Sequence, residues 1–257
     1  MMGIVRYVRV GGAGEEQWAQ LDGNDAVYLD AAPWSGGRPT GKRAPRATVT
    51  LACPVAPRKI FAIGRNYPAH AVEMGGVVPT EPLVFAKAIS SLIGPGDRVL
   101  LPEESTHVAY EGELGLVMGS RCRRVAAEHA LEHVFGCVPV CDVTARDLQA
   151  KDGQWTRAKS FDTFCPAGPE VVRGVDPDDL DLCLRVNGVE RQHARTSEMV
   201  FSAARIVAHV SSFATLEPGD LILTGTPEGV GPLSPGDAVD VTIEHLGSLS
   251  FRVARET

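Results

Sequence analysis

Residues 107–118 read HVAYEGELGLVM, and they set two carboxylates, Glu111 and Glu113, inside a segment with the alternation of a β-strand. Tyr110, Leu114, Leu116 and Met118 share one face of that strand, while Glu111, Glu113, Gly115 and Val117 share the other. Side chains two apart on a strand stand roughly 7 Å from each other, so two ionised acids repel unless water, a proton or a cation lies between them. An edge strand with a solvated acidic face has the same look. A metal site needs a third oxygen ligand and chemistry nearby.

The third ligand is expected at Asp142. Residues 134–149, VFGCVPVCDVTARDLQ, are an apolar run ending in an acid, and Thr144 followed by Asp147 has the spacing of a capping box. Asp142 is therefore placed at the exit of a strand, just before a short helix. Glu111, Glu113 and Asp142 would offer hard oxygens without sulfur or imidazole, a set that suits Mg²⁺ or Mn²⁺ better than Zn²⁺. Residue types alone leave the triad and the solvated acidic face both open.

The chain has 257 residues, a net charge of -7, 44% hydrophobic and 22% charged residues. This is ordinary globular composition, long enough for one large domain with a small appendage. An acidic balance argues against a nucleic-acid binder. Without a long apolar run or a signal-peptide core, no membrane span is expected and the protein is placed in the cytoplasm. The six cysteines form no Cys-x-x-Cys pair and are read as reduced, Cys141 as a small buried hydrophobe.

A small N-terminal domain is expected over residues 1–53 and a larger one over 54–257, with SGGRPTGKRAP (35–45) as a linker or long loop. Pro-Gly-Asp at Pro95, Pro218 and Pro235 predicts three turns into strands, and Asn187-Gly188 a hairpin. Helical spacing is confined to 125–135 and 198–213, the latter with Met199, Ile206, Val210 and Phe213 near one face. The fold class is thus α+β, mostly β. His129, His133 and His209 are read as surface or packing residues.

Three more segments bear on chemistry. RNYPAHAVEM places His70 and Glu73 three apart, on one helical face, where a carboxylate orients an imidazole and raises its basicity. Such pairs are common on exposed helices, but Pro68, Gly75, Gly76 and Pro79 describe a loop able to close as a lid. WTRAKSFDTFCPAGP embeds Lys159 among aromatics and prolines, either snorkelling or facing an anion. LILTGTPEGVG ends a strand in a loop whose N–H groups could cradle a carboxylate, although turn formation alone explains its glycines. Its spacing is not that of a dinucleotide fingerprint.

In this order, IFAIGRNYPAHAVEM, YEGELGLVMG, CDVTARDLQ, AKSFDTFCPAGP, VNGVERQ, TSEMVFS and LILTGTPEGVG resemble the fumarylacetoacetate hydrolase family over roughly residues 60–231. The resemblance implies a mixed β-roll catalytic domain with a small N-terminal domain, a homodimer, and a divalent ion on Glu111, Glu113 and Asp142. It makes His70 and Glu73 a water-activating dyad and Lys159 an oxyanion-stabilising lysine. Arg65, Tyr67, Gln149 and Thr226 become substrate-binding or site-lining residues. Many relatives follow the lysine at 87 with proline and a small polar residue, whereas this chain has Ala88 and Ile89, which leaves that pocket wall open.

The expected substrate is a β-dicarbonyl 2-oxo acid, which chelates through its carboxylate and adjacent carbonyl, so that the ion steadies the pyruvate enolate released by C–C cleavage. Hydrolysis of an acylpyruvate such as fumarylpyruvate is favoured because both members of the dyad are present. Oxaloacetate decarboxylation, or the isomerase, decarboxylase and hydratase steps of aromatic catabolism, shares the enolate. A noncatalytic binder of metal and 2-oxo acid would need neither the dyad nor Lys159.

Overall fold

A computed structural model describes residues 3–11 and 16–256. The parts of the expected 1–53 and 54–257 units that fall elsewhere lie outside the described residues. A mixed 11-stranded sheet forms the spine. Its strands run in the order Pro39–Pro45, Asp25–Leu29, Gln17–Asp22, Val5–Gly11, Val171–Arg173, Val134–Cys141, Gly112–Met118, Leu221–Leu223, Ile60–Gly64 and Leu83–Lys87, with Thr50–Ala52 also paired to Val5–Gly11. A five-stranded sheet (Val189–Arg195, Asp181–Val186, Ala238–Ile243, Gly247–Arg255, Arg98–Leu101) packs beside it.

The expected edge strand with a solvated face does not exist. Gly112–Met118 bonds antiparallel to Val134–Cys141 on one side and to Leu221–Leu223 on the other, and every residue in it is buried. Leu114, Leu116 and Met118 join a core capped by Ile206 and Val210 of the Ala203–Phe213 helix. Val117 faces a second core containing Val138, Val140 and Leu221. With both faces covered, strict polar alternation has no solvent side, and acids on this strand need partners inside the protein.

The segment is also not one strand. Pairing breaks at Glu111, because Val108–Tyr110 belongs to a separate three-stranded sheet with Thr144–Ala145 and Gly231–Pro232. Tyr110 therefore packs in a core of its own with Val143 and Leu184 rather than with Leu114. The Val134–Cys141 chain makes the same change of sheet, and the Asp142 N–H donates to the Glu111 carbonyl at 2.8 Å. Two neighbouring strands thus leave the large sheet side by side, which sets both acids at one corner.

The turn chemistry follows the sequence. Gly96, Gly219 and Gly236 have φ of 82°, 87° and 96°, and each leads into a strand. Asn187-Gly188 closes the Asp181–Val186 and Val189–Arg195 hairpin. Four expectations need correction. SGGRPTGKRAP is not a linker, since Pro39–Pro45 forms the outermost strand, exposed and bounded by prolines, as edge strands tolerate. The long helix begins at Ala203, with Ser202 as its N-cap, not at 198. Phe213 is 51% exposed and stacks on Phe61 instead of entering the core. The 125–135 helix shrinks to Ala127–Ala130 followed by a 3-10 turn at Leu131–His133.

The residues before 53 build a small cluster around Val8, Ala19, Ala26 and Tyr28 and are hydrogen-bonded into the large sheet through Val171–Arg173. Glu170, 2% exposed, receives Arg6 and Arg46 from this region. All six cysteines are free, and Cys141 is fully buried among apolar side chains. Among the described residues, no helix is long and apolar enough to cross a membrane.

Gly115 lies where the two sheet neighbours press closest: a Cβ there would meet Val138 Cγ1 at 2.9 Å, Val140 Cγ1 at 3.0 Å and Leu221 Cδ1 at 3.1 Å. Gly115→Val is expected to cost about 1–3 kcal/mol by overpacking. A lowered urea midpoint with an unchanged slope would register that cost.

Candidate active site

Glu111, Glu113 and Asp142 come together. One oxygen of each lies within 4.8 Å of the others, and none of the three residues is more than 4% exposed. Burying three carboxylates is costly unless each is paired or hydrogen-bonded, so their partners define the site. The Lys159 ammonium donates to Glu111 Oε2 and Asp142 Oδ2, each at 2.6 Å. The Lys87 ammonium donates to Asp142 Oδ1 at 2.6 Å and to the Lys159 carbonyl. Arg146 is ion-paired with Glu111 Oε1, and its Nη1 donates to Gln149 Oε1 at 3.0 Å.

Glu113 is the exception: among the described residues no cation touches it, and its Oε2 accepts the Gly225 N–H at 2.7 Å. Burial, then the charges of Asp142 and Glu111, push its pKa well above the usual carboxylate range. Burial pushes Glu111 up as well, but Arg146, Lys159 and His70 more than reverse this and bring its pKa down to about 2. Burial disfavours the charged form of Lys159, yet Asp142 and Glu111 outweigh that and raise its pKa. The donor set is therefore three hard oxygens, one of them on an acid that still lacks a cation, and it fits a divalent ion of the Mg²⁺ or Mn²⁺ kind.

Glu111 and Glu113 open on a cavity of about 260 Å³, which Asp142, with no exposed surface, does not line. Glu111, Glu113, Lys159, Arg146, Gln149 and Thr226 line its inner part. Arg65, His70 and Met74 line it toward the loop that follows the Pro68–Glu73 helix. Phe85 and Trp155 form an aromatic wall, their rings 5.3 Å apart and nearly perpendicular. Gly64 makes room for that wall, since a Cβ there would stand 2.6 Å from Trp155 Cζ3.

His70 and Glu73 do share a face: His70 Nδ1 lies 3.1 Å from Glu73 Oε2, and the other Glu73 oxygen accepts the Gly229 N–H at 3.0 Å. His70 is 4% exposed, unlike a histidine on a solvated helix. Its Nδ1 donating to Glu73 would leave Nε2 as the acceptor. The 221–231 loop therefore does cradle carboxylates, but they are the protein's own, Glu113 at Gly225 and Glu73 at Gly229. Gly225 has φ of 101° and lies so close to Asn66 that a Cβ would stand 2.7 Å from the Asn66 Cβ.

Two expectations at the site are corrected. Tyr67 does not line the cavity: it is 2% exposed, its hydroxyl has no hydrogen-bond partner among the described residues, and burial followed by the Glu113 charge raises its pKa. It occupies the extended position before the Pro68–Glu73 helix, which turns it inward. Thr144 and Asp147 form no capping box; Thr144 Oγ1 donates to the Asp142 carbonyl, and Asp147 instead accepts from Ser105 and Thr106. Thr144 is engaged in a strand, so its side chain faces away from the helix start.

The resemblance placed Lys87 only at a pocket wall, and residue patterns gave no warning of its pairing with Asp142 or of Arg146, Asn66 or Gln192. Gln192, 1% exposed, accepts the Gly112 N–H at 2.9 Å and donates to Thr226 Oγ1 and the Pro227 carbonyl, each at 2.8 Å. Thr226 Oγ1 in turn donates to the Gly112 carbonyl at 2.9 Å. Asn66 donates to the Phe201 and Thr224 carbonyls and accepts the Phe201 N–H. Only the VNGVERQ resemblance hinted at Gln192, and nothing in the residue types marked the partners across the fold.

Residues 59–254 match the family described as fumarylacetoacetate (FAA) hydrolase, C-terminal, and residues 5–54 match the one described as Rv2993c-like, N-terminal. The chain belongs to the fumarylacetoacetate hydrolase family. It is 42% identical to Protein Rv2993c of Mycobacterium tuberculosis, over 98% of this chain and 99% of that protein. Oxaloacetate tautomerase FAHD2A, mitochondrial, of Bos taurus is 44% identical, over 81% of this chain and 71% of the relative. Among solved structures, 2-hydroxyhepta-2,4-diene-1,7-dioate isomerase from Mycobacterium marinum superposes with a TM-score of 0.91 at 40% identity, covering 98% of this chain and 99% of the other. Fumarylpyruvate hydrolase from Pseudomonas aeruginosa, in complex with Mn²⁺ and pyruvate, gives 0.75 at 34% identity, over 80% and 92%.

Lys87→Met would remove one of the two cations on Asp142 and leave the Lys159 carbonyl without its donor. We expect a loss of about 3–5 kcal/mol, the cost of breaking a buried pair. Thermal unfolding of the two proteins side by side measures it.

Proposed function

We propose that this protein is a Mg²⁺- or Mn²⁺-dependent enzyme that hydrolyses the C–C bond of an acylpyruvate, a β-dicarbonyl 2-oxo acid. The observation that carries the reading is the His70–Glu73–Gly229 chain of hydrogen bonds, whose His70 lines the same cavity as Glu111, Glu113 and Lys159. Glu111, Glu113 and Asp142 would hold the divalent ion, which supplies Lewis-acid stabilisation of developing enolate charge. Three cations already balance these acids, so a bound divalent ion leaves the floor of the cavity positive and receptive to an anionic substrate.

The residues of the chain then divide the work. Glu73, fixed by the Gly229 N–H, holds the His70 ring so that Nε2 takes a proton from water. The hydroxide attacks the distal carbonyl, and the bond between that carbon and C3 breaks with its electrons passing into the pyruvate enolate. Lys159 faces this negative charge from a buried position where a cation acts with little screening. The proton held on His70 returns to C3, and the products are pyruvate and a carboxylic acid. Fumarylpyruvate is a substrate of this kind, and a related structure is named for its hydrolysis.

A second reading, proton transfer on oxaloacetate, draws support from the bovine relative named as a tautomerase. It passes through the enolate of oxaloacetate itself and needs no attacking water, whereas oxaloacetate decarboxylation gives the pyruvate enolate, also without water attack. Hydrolysis and decarboxylation separate at His70, since losing CO₂ needs no base, while tautomerisation, a proton transfer, needs one as hydrolysis does. His70→Ala is expected to lower kcat for pyruvate release from acylpyruvates by about 10²–10⁴-fold, the usual span of general base catalysis. Loss of oxaloacetate decarboxylation to the same degree would sink this division of roles. Chelation of divalent ions should abolish turnover, and re-addition of Mg²⁺ or Mn²⁺ should restore it.

The raised pKa of Glu113 has a consequence that requires no substrate. A carboxyl whose pKa is raised in the metal-free protein must ionise to become a ligand, so the number of protons released on metal binding should rise as pH is lowered. Calorimetry in buffers of different ionisation enthalpy reads that number, and no proton release in Glu113→Gln is the expected control.

A further inference from the structure

The Val189–Arg195 strand turns Gln192 and Ala194 inward and leaves Glu190 and His193 exposed. Gln192 pairs across the hairpin with the buried Leu184, at a position where strand alternation calls for an aliphatic side chain. An amide buried there is costly unless its polar atoms are bonded. They are bonded, and every bond leads out of its own sheet. The amide oxygen accepts the Gly112 N–H, and the two amide hydrogens are donated to Thr226 Oγ1 and the Pro227 carbonyl.

These partners close a ring, because Thr226 Oγ1 donates in turn to the Gly112 carbonyl. Gly112 separates Glu111 from Glu113 and begins the strand of the large sheet. A Cβ on it would stand 3.1 Å from Leu184 Cδ1 and 3.4 Å from Gln192 Oε1, so glycine lets the amide reach the backbone. On the other side lies Gly229, whose N–H holds Glu73. A Cβ on Gly229 would strike the Arg191 carbonyl and meet Gln192 Cγ at 3.4 Å. Gln192 does not line the cavity, although Thr226 does.

We propose that Gln192 is a positioning residue: it pins residues 226–229 against Gly112 and so fixes the spacing between the acids and the His70–Glu73 pair, while bonding to neither. This rests on the reading of the acids as metal ligands and of His70 as the base. One amide, fixed on a third piece of the fold, bonds to the backbone beside both groups. An aliphatic side chain of the same size would fill the volume and hold neither side.

The test uses Gln192→Met, which keeps the volume and removes the bonds, and Gln192→Asn, which keeps the amide but falls one methylene short. Two readouts need no substrate. Mn²⁺ affinity, read from the electron paramagnetic resonance of the free ion, is expected to fall about 10- to 100-fold, the usual effect of losing a partner behind metal ligands. The rate at which diethylpyrocarbonate modifies His70, read by peptide mass spectrometry, is expected to rise several-fold as Gly229 loosens from Glu73. Leu249→Ala, in the core of the same five-stranded sheet, is the control for destabilisation alone and should lower Tm while moving neither readout. With acylpyruvates at saturating Mn²⁺, Gln192→Met should lower kcat about 10- to 100-fold and change KM less than about threefold. A lower Tm in the Gln192 variants with Mn²⁺ affinity and His70 reactivity unchanged overturns the proposal, as does a change in only one of the two. Wild-type enzyme that binds Mn²⁺ and releases no pyruvate overturns the hydrolytic reading, and Gln192 is then decided by the two readouts without substrate. Wild-type enzyme that binds no divalent ion overturns both.

Discussion

Asp142, with no exposed surface, is held between two ammonium groups, and the rest of the site depends on that contact. Taking an ionised carboxylate out of water costs several kcal/mol even after relaxation, and three of them at one corner of the fold would repel each other as well. Lys87 ends one edge strand of the large sheet, Lys159 ends a short helix, and Arg146 begins another. Each arrives with its charge already aimed at an acid. The fold thus spends stability on a cluster of opposite charges that a purely structural core would replace with hydrocarbon, which is what a site built to receive a further cation and an anion requires.

One loop joins the two halves of the chemistry. Residues 224–231 give the Gly225 N–H to Glu113, on the side of the acids, and the Gly229 N–H to Glu73, on the side of the base. Gln192 and Thr226 tie the same loop to Gly112, one residue from either glutamate. A shift of this loop would therefore move Glu113 and Glu73 together, since N–H groups of the same segment hold both. Gly225 is required there because φ is positive and Asn66 lies in contact.

The relatives carry names of a hydrolase, an isomerase and a tautomerase, and the floor of the cavity explains how one fold serves such reactions. Buried acids, Lys159 and Arg146 are suited to steady an enolate whatever bond has been broken to make it. Arg65, Met74, Phe85 and Trp155 line the same cavity. The resemblance led proline to be expected at Ala88, and the Ala88 N–H donates to Ser160 Oγ at 2.9 Å, a bond that proline has no hydrogen to make.

By itself the sequence determined the turns and the mostly β character, because those depend on local chemistry: Pro-Gly-Asp and Asn-Gly dictate backbone torsions, and alternation dictates a face, while Glu111, Glu113 and Asp142 were candidates whose grouping it left open. It also named His70 with Glu73, since three residues along a helix bring side chains together without outside help. Local chemistry misplaced the 35–45 strand, whose pairing comes from Asp25–Leu29, and treated 107–118 as one strand, although the two sheets it joins are made by distant segments. Only the tertiary structure decided which charges meet. Lys87 is 55 residues from Asp142 and Gln192 is 80 from Gly112, and no periodicity links them. The physical reason is that a buried charge is defined by what surrounds it in space, and that is settled when the sheets close.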